Sequence, residues 1–121
     1  MLKENLIKEI EDKIKNKDFL AASQLNYKLS RLNPNLYELW KFQGVIFYQL
    51  GKIDLAIESF KNSINIKKNI ESYYFLIICN ICKNLPNQVK ILKEEIKNNF
   101  NDKEYTKIII KIDEIINENK R

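Results

Sequence analysis

Apolar residues recur at every third or fourth position along almost the whole chain, and short polar breaks interrupt the recurrence six times. That spacing is the period of an α-helix with one apolar stripe. The first run carries Leu2, Leu6, Ile7, Ile10 and Ile14. Lys15-Asn16-Lys17-Asp18 breaks it, with Asp18 a good N-cap for a second run of Phe19, Ala22, Leu25, Leu29 and Leu32. Asn33-Pro34-Asn35 ends that run, because the residue before proline resists the α region. A third run holds Leu36, Leu39, Trp40, Val45, Phe47 and Leu50, and Gly51 follows where a helix end wants a positive φ. The fourth is Ile53, Ala56, Ile57, Phe60, Ile64 and Ile66. The fifth spans Tyr73 to Cys82, and Pro86 opens a sixth with Val89, Leu92 and Ile96. Asn101 and Asp102 offer an N-cap to the seventh, whose stripe is Tyr105, Ile108, Ile109, Ile112, Ile115 and Ile116. Seven helices of about 12–16 residues are predicted, and their short links force neighbours in sequence to pack antiparallel.

Composition supports the same class. The chain has 121 residues, one domain's worth, with 45% hydrophobic and 31% charged side chains. With 2 Gly, 2 Pro, 2 Val and 1 Thr it cannot supply the turns and strand residues of a β-sandwich or barrel. Histidine is absent, which removes His-based acid–base chemistry, His-activated nucleophiles and His-ligated metals. Two glycines, Gly44 and Gly51, cannot build a phosphate-cradling loop.

The net charge of +5 is carried by 19 Lys and 2 Arg and is spread out. Residues 1–18 are neutral, residues 19–70 carry +4, residues 71–102 are neutral and residues 103–121 carry +1. Nucleic-acid readers lean on Arg for bidentate contacts, so a solvated surface is the favoured reading of this charge. The longest apolar stretch, Tyr73 to Cys79, is far short of the ~20 residues that span a bilayer. The charged N-terminal segment has no signal-peptide core, and a cytoplasmic location is expected.

The segment from Tyr37 to Ile70 carries Trp40, Gly44, Phe47, Gly51, Ala56 and Phe60 at fixed offsets, with Ser63 at a further small-residue position. It resembles a tetratricopeptide (TPR) repeat, a 34-residue helix–turn–helix unit. Gln43 and Lys68 depart from the pattern, which has Leu and Pro there. In such a unit the small Gly44 and Ala56 let two helices approach, Trp40, Phe47 and Phe60 fill the space between pairs, and Gly51 makes the turn. One period upstream, residues 3–36 form a degenerate first repeat with Ala22 and Pro34 in place. It carries Ile10 and Lys17 where the glycines belong. One period downstream, residues 71–100 form a degenerate third repeat with its second helix out of register by one residue. Residues 103–118 resemble a capping helix. The resemblance implies a single all-α domain, a right-handed superhelical array of about three antiparallel helix pairs plus a C-terminal cap.

Little in the chain carries chemistry. Cys79 and Cys82 form a C-x-x-C, but they sit mid-to-late in an apolar helix, not at a helix N-terminus after a strand. No further Cys or His completes a zinc site. Two reduced thiols are expected, packed or lining a groove. Adjacent carboxylates such as Glu94-Glu95 point in different directions on a helix. No enzyme, metal or cofactor is expected.

The resemblance also implies a binding face, because the first helix of each pair lines a concave groove. In the first repeat it points to Glu4, Ile7, Lys8, Glu11, Ile14 and Lys15. In the second it points to Glu38, Lys41, Phe42, Val45, Tyr48 and Gln49. In the third it points to Ser72, Phe75, Leu76, Cys79, Cys82 and Lys83. Lys41, Phe42, Val45, Tyr48, Phe75, Cys79, Cys82 and Lys83 are therefore the candidate partner-binding residues, an apolar strip with lysines at its margins. The same stripe also reads as core between repeats. The expected function is protein–protein interaction, an adaptor or assembly factor holding a peptide or helix, acidic and apolar in character. The alternatives are a self-associating module, including a homodimer, and a basic RNA- or membrane-surface-binding repeat. The carboxylate clamp of one TPR subset is missing: Lys41 matches it, while Glu11, Phe42, Val45, Ser72 and Leu76 do not.

Overall fold

A computed structural model describes Leu2–Asn119, and among the described residues it is all helix: α1 (Leu2–Lys15), α2 (Phe19–Leu32), α3 (Tyr37–Gln49), α4 (Ile53–Ile66), α5 (Ile70–Cys82), α6 (Pro86–Asn99) and α7 (Asp102–Asn119). Two helices depart from the sequence expectation. α7 has 18 residues, longer than expected. α5 starts one turn before Tyr73, because Asn69 caps it by accepting the Ser72 N–H.

Two kinds of turn alternate. Within each pair the turn is a left-handed residue flanked by one residue on either side. Lys17 (φ 62°), Gly51 (φ 78°) and Asn84 (φ 56°) occupy the centre. Each donates its N–H to the carbonyl three residues back, and the next residue (Asp18, Lys52 or Leu85) donates to the carbonyl five residues back. This double closure satisfies carbonyls the helix end would otherwise orphan. Between pairs the chain instead leaves each helix through an extended residue, Asn33, Lys67 or Phe100. One turn type doubles the chain back and the other steps it to the next pair. That alternation is the repeat, and it persists where glycine does not.

Consecutive helices pack throughout. In addition α1 touches α3, α3 touches α5 and α5 touches α7, whereas α2, α4 and α6 do not approach one another. The odd helices therefore form a closer layer and the even helices a splayed one. An array crowded on one side and spread on the other curves, with its hollow on the odd-helix side.

Inside the second pair, Phe60 is fully buried and lies so close to Gly44 that a Cβ there would come within 2.6–2.8 Å of its ring. The same ring stacks on Phe75 of α5, with centroids 5.5 Å apart and planes 7° from parallel. In the first pair the sizes are exchanged. Ile10, fully buried, takes the place of the glycine and Asn26 takes the place of the ring. Trp40 does not fill the inter-pair space as the resemblance implied. It stays 39% exposed beside α2. The joint between α4 and α5 is polar. Ser63 Oγ donates to the Tyr37 carbonyl (2.9 Å), and Ser72 Oγ (2.9 Å) and Asn69 Nδ2 (3.2 Å) converge on Ser63. Ser63 is thus a junction as well as a small residue, and each of these buried groups is satisfied.

Two stability outcomes follow from this packing. Nothing lies within 4 Å of a Cβ at Gly51, so Gly51→Ala tests backbone conformation alone and is expected to cost about 1 kcal/mol, while Lys17→Gly is expected to gain about the same. Urea unfolding followed by circular dichroism reads both. Gly44→Ala collides with a ring pinned on both faces and is expected to cost about 1–3 kcal/mol. Adding Phe60→Leu should recover part of the Gly44→Ala loss, whereas the same change alone should only destabilise.

Candidate functional site

The hollow side of the array is built from one face each of α3, α5 and α7. On α3 that face presents Lys41 and Tyr48, both half-buried. On α5 it presents Glu71, Tyr74 and Phe75. On α7 Glu104, Lys107, Ile108 and Lys111 share a face by their spacing of three and four. Together with Ile70, the α5 and α7 residues enclose a crevice of about 260 Å³. Tyr74 and Phe75 stand in it beside Ile70 and Ile108 and among four charged residues, Glu71, Glu104, Lys107 and Lys111. Tyr74 meets Phe75 edge-on at 5.4 Å and Tyr48 meets Phe75 at 6.1 Å and 56°. Phe75 in turn is held by its stack on buried Phe60, so the wall is rigid. Burial holds the phenols of Tyr48 and Tyr74 above their ordinary pKa, with the nearby Cys82 and Cys79 thiols adding to the effect on Tyr48.

Charge of both signs lines the crevice, Glu71 and Glu104 opposite in sign to Lys107 and Lys111. Lys41 pairs with Glu71, tying α3 to α5 across the groove floor, and its ammonium lies 5.1 Å from the Phe42 ring centre. Lys107 and Lys111 have no ion-pair partner among the described residues. α7 packs on α5 and α6 alone, so it forms a side wall and leaves the stretch over α3 uncovered.

The candidate residues divide. Lys41, Tyr48 and Phe75 come together in the groove, and Cys82 is exposed beside them. Phe42 and Val45 are buried, 3% and 8% exposed. Phe42 joins the first core with Leu6, Ile10 and Leu39, because the side of α3 that carries it turns toward the first pair. Cys79 and Ser72 are fully buried, and Leu76 of the same expected stripe is 3% exposed. Lys83 pairs with Asp54 (2.7 Å) in a crevice bounded by α4, away from the hollow face.

A single slip explains the third-pair corrections. The left-handed residues Lys17 and Gly51 are 34 residues apart, but Gly51 and Asn84 are 33 apart. Stepping by 34 starts the third pair at Glu71, whereas its helix starts at Ile70. One residue is about 100° of helix, enough to exchange a groove face for a core face. Stepping by 33 moves the six positions to Glu71, Tyr74, Phe75, Ile78, Ile81 and Cys82; Glu71, Tyr74 and Phe75 line the crevice and Cys82 is exposed, whereas Ile78 is buried. The 33-residue turn-to-turn spacing is legible in the sequence once Asn84, a residue that tolerates left-handed backbone, is aligned with Gly51. The α7 wall, Lys107, Ile108 and Lys111, was missed because a cap helix was expected to face solvent.

Burial pushes the Cys79 thiol up to about 12, with Cys82 a smaller cause. Cys79 is therefore inert in the native state, whereas Cys82 is accessible. At pH 8 iodoacetamide is expected to add one carbamidomethyl group, at Cys82, and a second only in denaturant. Mass spectrometry of the intact and digested protein checks this.

No family model matches the sequence, and no curated protein matches it. A search of solved structures finds a chain of a "CopN-Scc3 complex" with a TM-score of 0.72 and 17% sequence identity, covering 93% of this chain and 68% of that one. At that identity the likeness is one of fold, and it agrees with a helical repeat array. No helix among the described residues is long and apolar enough to cross a membrane.

Proposed function

We propose that this chain is a TPR-like, non-catalytic interaction module that holds an acidic, apolar peptide or helix of a partner protein in the hollow lined by Tyr48, Tyr74, Phe75 and Ile108. The observation that carries the proposal is an aromatic wall left partly exposed although its backing is rigid. Tyr48, Tyr74 and Phe75 are all partly accessible, and the described C-terminal helix flanks them instead of covering them. Rigid aromatic anchors at the centre of a concavity are where binding energy concentrates. Unpaired Lys107 and Lys111 in the crevice lining favour an acidic flank and speed encounter. The solved neighbour, titled as a complex of CopN with Scc3, supports the idea that such an array can serve in a partner complex.

Selection from a displayed random-peptide library against the full chain tests the proposal. Enriched peptides should combine Leu, Ile or Phe with Asp or Glu. Tyr48→Asp should weaken them at least about ten-fold, near 1.4 kcal/mol, with helicity unchanged. Lys107→Glu with Lys111→Glu should weaken the acidic ones and reduce the salt dependence of binding. Peptides that bind both variants as tightly as the parent would refute the groove assignment.

A further inference from the structure

On the side of the array away from the hollow, α4 and α6 both pack on α5 without approaching each other. The gap between them is a trough holding two crevices of about 310 and 280 Å³. Both are lined by Lys61 of α4, Leu76 of α5 and Gln88 and Leu92 of α6, so they form one continuous depression. Each also has an isoleucine of α4 to itself, Ile57 in the first and Ile64 in the second. Those two lie seven residues apart, two helical turns or about 10 Å. Lys61 stands between them on the same face. The floor is fixed, since Leu76 and Leu92 are buried, and the α6 side presents the exposed Leu85 to the first crevice and the exposed Ile91 to the second.

The charges at the two ends of the trough are engaged. Asp54 pairs with Lys83 at 2.7 Å at one end, and Glu95 is the hydrogen-bond partner of the Tyr73 phenol at the other. Lys61, in the middle, has no hydrogen-bond or ion-pair partner among the described residues. What is left to be met is one ammonium between two apolar recesses. A carboxylate on an apolar scaffold complements it, whereas a free anion leaves both recesses unfilled. The spacing then selects the form of the chain. On an α-helix, residues i and i+7 share a face about 10 Å apart, with residue i+4 between them. On a β-strand that distance is about three residues, and side chains three apart point to opposite faces. A polyproline-type chain returns to one face every three residues, about 9 Å, but places nothing between to meet Lys61. Only the helix fills both recesses and reaches the ammonium.

We propose that the α4–α6 trough docks an amphipathic helix of a partner protein, with apolar side chains at i and i+7 in the two recesses and an Asp or Glu at i+4 paired with Lys61. The probe is a fluorescein-labelled, hydrocarbon-stapled helix of alanine and glutamine that carries Leu at i and i+7 and Glu at i+4. Titration with the full chain, followed by anisotropy, should saturate. Gln in place of the probe's Glu should weaken binding about three- to five-fold, the worth of one exposed charge pair. Moving the second Leu from i+7 to i+5 takes it off the face and should weaken binding further. Lys61→Gln should abolish the difference between the Glu and Gln probes, and Ile91→Asp should weaken both at least about ten-fold. Both residues are exposed, and circular dichroism checks that the variants keep their helices. Equal affinity of the Glu and Gln probes, a difference that persists in Lys61→Gln, or no saturable binding would each overturn the proposal. So would sedimentation showing that the chain alone dimerises through this face, with Ile91→Asp dissociating the dimer. Tyr48→Asp should leave these titrations unchanged, which separates failure here from failure of the groove; a loss of binding in that variant would place the probe in the hollow and overturn the trough.

Discussion

One aromatic ring connects everything that makes this array a working surface. Phe60 lies against the bare Cα of Gly44 on one side and stacks on Phe75 on the other. The first contact sets how closely the two helices of a pair can approach. The second sets how the next pair sits on them, and it makes Phe75 a fixed wall of the hollow. Packing inside a pair, packing between pairs and the shape of the candidate site are therefore not independent. A change in ring size at this position is transmitted to all three, because close-packed interiors do not absorb volume changes locally.

The curvature has an equally simple origin. Left-handed turns inside pairs and extended turns between them bring odd-numbered helices together and hold even-numbered ones apart. Neither turn depends on glycine alone. Lys17 and Asn84 adopt the conformation of Gly51 at some strain, held by the same pair of backbone hydrogen bonds. A repeat can thus decay in sequence while its geometry survives, provided the neighbouring helices over-determine the turn. The exchange of sizes between Ile10 and Asn26, set against Gly44 and Phe60, is a second instance: what is kept is filled volume, not residue identity.

Polar groups in this small core mark the places where the repeat is joined or interrupted. Ser63, Asn69 and Ser72 satisfy one another at the α4–α5 joint and fasten it to the start of α3. Asn26 is the exception: its Nδ2 donates to the Leu39 carbonyl, and its buried Oδ1 meets no donor among the described residues. A satisfied network specifies how elements meet.

By itself the sequence determined the number of helices, nearly all their limits and their grouping in pairs. These follow from apolar period, caps and turn residues, which act over a few neighbouring positions. It also placed Lys41, Tyr48 and Phe75 on an accessible face. Only the tertiary structure decided that Phe42 and Cys79 belong to the core, that Lys83 pairs with Asp54 elsewhere, and that α7 supplies a wall of the hollow. Those outcomes depend on helix rotation, to which a one-residue change in spacing contributes about 100°. Rotation is settled by which large side chains find room against the neighbouring pair, and no local pattern records that.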